Sequence, residues 1–324
     1  MENYDVFNGD ADGICALLQL HFSDLGDRAD NHLLSGVKRD IQLLKNIQST
    51  QTPGHITVLD ISLDKNRDDL IRLLALGYKV LYADHHFAGE IPQHSNLTCL
   101  IDTDSNTCTS LIINQHLNHR HFLWAITGAY GDNLFDSAQQ LATQQGVADA
   151  DQELLKELGT LINYNGYGAK VEDLHFAPQL LFRSLLNYPN PLDFIEDSSS
   201  DFKTLQQGYQ SDIAKANDSK FYYHNTCIAV ILLPQASWSR RVSGVYGNAL
   251  ANQSPDRAHA ILTPLQDESG FTVSVRAPLN NKSGADELCR QFPSGGGRKA
   301  AAGINNLAKQ QLDTFIERFN RQYC

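Results

Sequence analysis

Short apolar runs alternate with helical patterns through the first half of this chain, and that alternation narrows the possible folds more than any other feature. Residues 4–7, 56–61, 78–83 and 97–101 are short and rich in β-branched or aromatic side chains, as buried strands are. Between them, residues 14–25, a segment around 41–48 and residues 65–76 carry helical spacing, the last closed by Gly77. Strands that alternate with helices pack as a parallel, doubly wound sheet, because each helix carries the chain back to start the next strand in the same direction. The expected fold class is therefore α/β, with a doubly wound, mainly parallel sheet in an N-terminal domain. After Asp102 the pattern turns helical, over residues 108–117, 122–130, 134–145, 152–161 and 179–187.

A loop signal at 187–191 and the polar run 197–201 interrupt this pattern, and residues 202–216 read as an exposed connecting helix. Strand character resumes at 226–233 and in a hairpin-like pair at 258–262 and 271–275, before a final helix over 312–321. The expectation is a first domain over 1–187, a linker with a connecting helix over 188–222, and a smaller α/β domain over 223–324 lying across a cleft.

Composition excludes some classes. With 324 residues the chain can bury a substantial core, but no run of about eighteen apolar residues offers a membrane span. The first residues show no basic stretch followed by an apolar core, so no secretory signal is read. Six scattered cysteines without a Cys-x-x-Cys pair suggest reduced thiols and a cytoplasmic protein. A net charge of −11 is a poor match for long duplex nucleic acid, whose binding is driven by neutralising phosphates. It suits a small anionic substrate drawn to a metal-charged site.

The informative residues stand at the ends of the expected strands. Asn8-Gly9-Asp10-Ala11-Asp12-Gly13 follows the first, Asp60 closes the next, and Asp84-His85-His86 follows the third, while Gly131-Asp132-Asn133 ends a helical stretch. Singly, each has an ordinary reading: a turn, a helix cap, a surface histidine pair, a helix end. Together they gather carboxylates beyond the carboxyl ends of a parallel sheet, where ligands of such folds collect. Those carboxylates would repel one another unless cations sat between them. Carboxylates with an imidazole suit Mn²⁺ or Mg²⁺.

In order and rough spacing, Asp10-x-Asp12-Gly13, Asp60, Asp84-His85-His86 and Gly131-Asp132 resemble the four acidic motifs of the DHH (Asp-His-His) phosphoesterase family. Ser274-Val275-Arg276 and the glycine-rich run from Ser294 to Gly303 resemble the associated second domain of that family. The resemblance spans nearly the whole chain. It implies two divalent cations, Mn²⁺ or Mg²⁺, with Asp60 shared between them. Asp10 would hold the first cation, with Asn8 as a further candidate ligand, and Asp12, His85 and Asp132 the second. Asp84 would orient His85, and His86 would face the phosphate and act with Asp60 in the chemistry. Arg276, Gly295, Gly296, Gly297, Arg298 and Lys299 would bind substrate. Asn8 and Arg298 depart from the family, which usually carries histidine at both positions.

The three glycines also have an independent reading, as backbone N–H groups turned toward an anion at a helix start. The function expected is phosphodiester hydrolysis of short oligonucleotides, or of linear or cyclic dinucleotides, to mononucleotides. The expected partner is a small nucleotide or short single-stranded oligonucleotide substrate, with no long duplex and no membrane, and the protein is expected to be a monomer or homodimer. A phosphatase for polyphosphate or another small phosphoester is one alternative, and an inactive nucleotide-binding protein is another.

Overall fold

A computed structural model describes residues 1–23, 28–48 and 52–324, which form two compact units, Met1–Gln207 and Gly208–Cys324. The first unit begins with β1 (Glu2–Phe7), α1 (Ala11–Ser23), β2 (His32–Leu34), β3 (Pro53–Leu59), α2 (Leu63–Ala75), β4 (Lys79–Asp84) and β5 (Leu97–Ile101). All neighbouring strands are parallel, in the order β2-β1-β3-β4-β5. This is a doubly wound order, in which the chain reverses its direction of travel across the sheet between β1 and β3. Val6, Val58, Val80 and Tyr82 bury one face of the sheet against Leu70, Leu73 and Leu74 of α2.

The helical remainder of this unit comprises α3 (Thr109–His116), α4 (Phe122–Gly131), α5 (Phe135–Gln144), α6 (Asp149–Gly166), α7 (Pro178–Leu185), α8 (Pro191–Glu196) and α9 (Phe202–Asn217). The division at Gln207 falls within α9. Ala125, Ile126 and Ala129 of α4 pack with Ala138 and Leu141 of α5 and Leu155 of α6, an apolar face at helical spacing.

The second unit contains β6 (Phe221–His224), β7 (Ile228–Leu232), α10 (Ser237–Gln253), β8 (Ala258–Pro264), β9 (Gly270–Arg276), α11 (Ala285–Cys289), β10 (Gly295–Gly297), β11 (Ala301–Ala308) and α12 (Leu312–Tyr323). Its sheet runs β10-β11-β9-β8-β7-β6 and is mixed: β7 and β8 are parallel, joined through α10, and the other pairs are antiparallel. Phe315, Ile316, Phe319 and Tyr323 of α12 recur at helical spacing and close over Val230, Leu262 and Val273. Among the described residues, no helix is long and apolar enough to cross a membrane.

Several expectations are corrected. The helix expected around 41–48 is only a short 3₁₀ turn, Leu44–Asn46. The Asn66 side chain takes over its backbone bonding, accepting from Leu44 N at 3.3 Å and donating to Ile41 O at 2.7 Å. The helix expected over 14–25 is α1, and its last expected residues, 24 and 25, lie outside the described residues. The loop signal ending at Pro191 instead opens α8, capped by Asn190 accepting from Leu192 N at 3.0 Å. The Ala-rich run after the three glycines is strand β11, so these glycines do not start a helix. Cys227 and Cys324 form a disulfide with Cα atoms 5.6 Å apart, which corrects the expectation that all six thiols are reduced.

Candidate metal centre

The parallel ladder sets three acidic segments side by side at one level. Beyond the strand ends Asn8 N bonds to Leu59 O and Asp60 N to Ala83 O, both at 3.1 Å. Asp60 and the residues after Phe7 therefore flank the position where the strand order reverses. Asp60 turns there with φ of +58°, a left-handed conformation that is uncommon outside glycine and that aspartate tolerates better than most residues. Gly13 is required close by, because a Cβ there would lie 2.9 Å from Asn8 N.

Each carboxylate is held by a different device. Asp10 precedes α1 and caps it, Oδ1 accepting from Gly13 N at 3.1 Å. Asp12, in the first turn of α1, accepts backbone N–H groups of Thr109 at 2.8 Å and Ser110 at 2.7 Å, where α3 begins. Thr109 Oγ1 donates to Asp60 Oδ1 at 3.2 Å. Asp132 terminates α4.

His85 is the focus of the group. Its Nδ1 meets Thr107 O at 3.1 Å, and its Nε2 lies 3.4 Å from Asp60 Oδ1, 3.9 Å from Asp132 Oδ2 and 4.0 Å from Asp12 Oδ2. Asp84 does not reach this ring as expected; its Oδ1 lies 2.7 Å from His86 Nδ1 instead. Side chains along an extended segment alternate in direction, which places positions 84 and 86 on one side and 85 on the other. The side chain of His86 is 41% exposed, whereas those of Asp60 and His85 are buried. Asp60, His85 and His86 each offer one donor atom within 4.8 Å of the others.

Electrostatics fit this donor set to a cation. Burial, followed by the nearby charges of Asp12, Asp10, Asp132 and Asp84, pushes the Asp60 carboxyl well above the usual carboxylate range. A cation among these oxygens would relieve that penalty. Three carboxylates and one imidazole nitrogen suit Mn²⁺ or Mg²⁺.

One charged residue in the group had no signal in the sequence. Lys38 places Nζ 2.6 Å from Asp10 Oδ2, 3.8 Å from Asp132 Oδ1 and 2.9 Å from Asn163 Oδ1. Burial opposes its ammonium, but Asp10, Tyr167 and Asp132 hold its pKa above the usual lysine range. The same Lys38 contacts bring the Asp10 carboxyl below its usual range, against the effect of burial. Thr107, Thr109 and Ser110 were also missed. The Thr-x-Thr-Ser run ahead of an expected helix was the available sign of N–H groups able to hold an anionic side chain.

The second-unit residues are apart in character. Arg276 donates through Nε to Asn248 Oδ1 at 2.6 Å, and its terminal nitrogens bond Ser274 Oγ at 3.0 Å and Gly244 O at 3.1 Å, so it ties α10 to β9. Gly295, Gly296 and Gly297 form β10, and Arg298 and Lys299 are exposed in the turn to β11, closed by Arg298 N to Ala301 O at 2.9 Å. Gly297 has φ of +137°, and a Cβ there would meet Ala302 Cα at 2.5 Å. Arg241 of α10 grips the buried Asp212 at 2.7 Å, a contact within the second unit, to which the part of α9 beyond Gln207 belongs.

Fold and site together define an α/β protein with a buried cluster of carboxylates around one imidazole at the switch point of a parallel sheet. No protein-family model and no curated protein matches the sequence. Solved structures do match in fold. An exonuclease RecJ bound to manganese aligns at 15% identity and a TM-score of 0.60, over 99% of this chain and 89% of that one. RecJ from Thermus thermophilus in complex with Mn²⁺ aligns at 16% identity and 0.59, over 99% of this chain and 51% of the other. The pGpG-specific phosphodiesterase PggH from Vibrio cholerae aligns at 13% identity and 0.52, over 99% and 100%. The chain has the RecJ-like fold.

Proposed function

We propose that the protein is a divalent-cation-dependent phosphodiesterase of the DHH type, cleaving short oligonucleotides or linear or cyclic dinucleotides to mononucleotides. The observation that carries this reading is the convergence of Asp12, Asp60 and Asp132 on His85 Nε2, beside an exposed His86 that Asp84 holds in place. Asp12, Asp60, His85 and Asp132 would hold the cation, Mn²⁺ or Mg²⁺. Bound there, it would supply Lewis-acid charge to the phosphoryl oxygens and acidify water at neutral pH.

The chain's own residues account for the remaining requirements. Asp84 fixes the ring and tautomer of His86, so that the imidazole can present its other nitrogen to a leaving oxygen and deliver a proton there. Asp12 is oriented by two backbone N–H groups and needs no rearrangement to bind. Phe87, beside His86 and 75% exposed, offers a ring on which a base can stack, which favours nucleotide over polyphosphate. Arg298 and Lys299, exposed in one turn of the second unit, are the proposed contacts for a substrate phosphate. That the structurally similar proteins include an exonuclease and a pGpG-specific phosphodiesterase supports the same substrate class. A cytoplasmic location and a monomer or homodimer complete the proposal.

The test is hydrolysis of pGpG, a short RNA oligomer and tripolyphosphate by purified protein with Mn²⁺. Dinucleotide or oligomer cleavage is expected, abolished by a chelator and reduced about a thousandfold or more by Asp60→Asn. Preferential cleavage of tripolyphosphate would transfer the assignment to a phosphatase. No turnover of any substrate would sink the enzymatic reading.

A further inference from the structure

We propose that the Lys38 ammonium stands in for one of the two divalent cations, so that the centre binds a single Mn²⁺ or Mg²⁺ through Asp12, Asp60, His85 and Asp132. The inference rests on the cation centre proposed above. It comes from what surrounds Asp10. Both oxygens of that carboxylate carry a donor: Gly13 N on Oδ1, as a helix cap, and Lys38 Nζ on Oδ2 at 2.6 Å. The ammonium also donates to Asn163 Oδ1 at 2.9 Å and lies in ion-pair range of Asp132 Oδ1 at 3.8 Å, so it is held between two carboxylates and an amide oxygen.

The lysine is docked by its backbone as well as by its tip. Lys38 N donates to Gly166 O at 2.8 Å, and Lys38 O accepts from Asn8 Nδ2 at 3.4 Å. Its Nζ lies 5.5 Å from the centre of the Tyr167 ring, and the side chain is only 22% exposed. Asn8 thus turns its amide nitrogen toward the lysine segment. It offers the centre at most one neutral oxygen, which among the described residues is buried without a hydrogen-bond partner.

These contacts change what a cation at Asp10 would encounter. A divalent ion there would find one carboxylate, one neutral amide oxygen and, unlike an ion at Asp12, a fixed positive charge already held on Asp10 Oδ2. An ammonium meets the charge requirement of Asp10 and Asp132 without a coordination shell. Asn8 and Lys38 therefore act together: one offers only a neutral amide oxygen, and the other supplies a built-in positive charge beside it.

Counting ions tests this directly. Wild-type protein reloaded with Mn²⁺ and dialysed should retain one ion per chain by elemental analysis, with the hyperfine pattern of an isolated Mn²⁺ in its electron paramagnetic resonance spectrum. Combining Asn8→His with Lys38→Met, which keeps apolar bulk over Tyr167, should raise the count to two and give an exchange-coupled spectrum. Two ions in the wild type would overturn the inference and leave the cation centre standing. No bound Mn²⁺ in the wild type would remove the centre itself. A folded double variant that still binds one ion would show that Lys38 is not what replaces the second. If that variant fails to fold, Lys38→Met alone serves in its place, and the wild-type count decides the matter without either.

Discussion

At the scale of single residues, the centre depends on which atom each imidazole is held by. His85 takes its orientation from a backbone carbonyl, Thr107 O, and His86 takes its from the Asp84 carboxylate. Removing the Asp84 charge should therefore disturb the exposed ring rather than the buried ligand. Asp84→Asn is expected to lower kcat about 10–100-fold while Mn²⁺ affinity by calorimetry stays near wild type. If Mn²⁺ affinity fell with kcat, Asp84 would be acting on the ligand set instead. Lys38 illustrates the opposite case, a residue whose contribution is electrostatic at close range. An ammonium and a divalent ion about 4 Å apart repel by roughly 8 kcal/mol at an effective dielectric constant near 20. The carboxylates between them offset part of this, so exclusion is expected at Asp10, where ammonium and ion would compete for the same oxygen.

At the scale of elements, buried strands carry their own titrations. His259 lies in β8, is 2% exposed and stands opposite Arg276 of β9. Burial, with a smaller effect of Arg257, lowers its pKa to about 4. An exposed imidazole has a pKa of about 6.5, so on acidification the unfolded chain takes up this proton before the folded one does. The stability associated with neutral His259 is thus complete above pH about 6.5 and is lost as pH falls toward 4. Between pH 7 and 4.5 the loss should be about 2–3 kcal/mol. Urea unfolding at the two pH values, in wild type and in His259→Gln, measures it. The variant should lose less stability over that interval; an equal loss would place the pH dependence elsewhere.

At the scale of the whole molecule, the charge of −11 makes local positive charge significant, and Arg298 and Lys299 share an exposed turn. A contact of equal strength in ground and transition states changes KM and leaves kcat alone. Arg298→Ala is expected to raise KM for a dinucleotide about tenfold or more, with little effect on bis-p-nitrophenyl phosphate, which has no second phosphate. Steady-state kinetics on both substrates decides this, and equal losses on the two would assign Arg298 to the chemistry.

Much of the fold was legible because it is written in local periodicity. Strands β1, β3, β4 and β5 were recognisable as short β-rich runs, and Asp10, Asp12, Asp60, His85 and Asp132 were legible because they adjoin element ends. Helix α10 escaped because Gly244 and Gly247 and the β-branched Val242 and Val245 weaken its helical signal, although packing on the sheet stabilises it. Strands β10 and β11 escaped because glycine and alanine carry little strand preference, so their pairing with β9 decides their conformation. By itself the sequence determined the sheet class, the acidic motifs and their order. Only the tertiary structure decided that Asp84 serves His86, that Arg276 joins α10 to β9, and that Lys38 reaches Asp10. The reason is physical: periodicity and caps act over a few neighbouring residues, whereas a salt bridge to Asp10 from a segment 28 positions away is set by how that segment docks on Asn8 and Gly166.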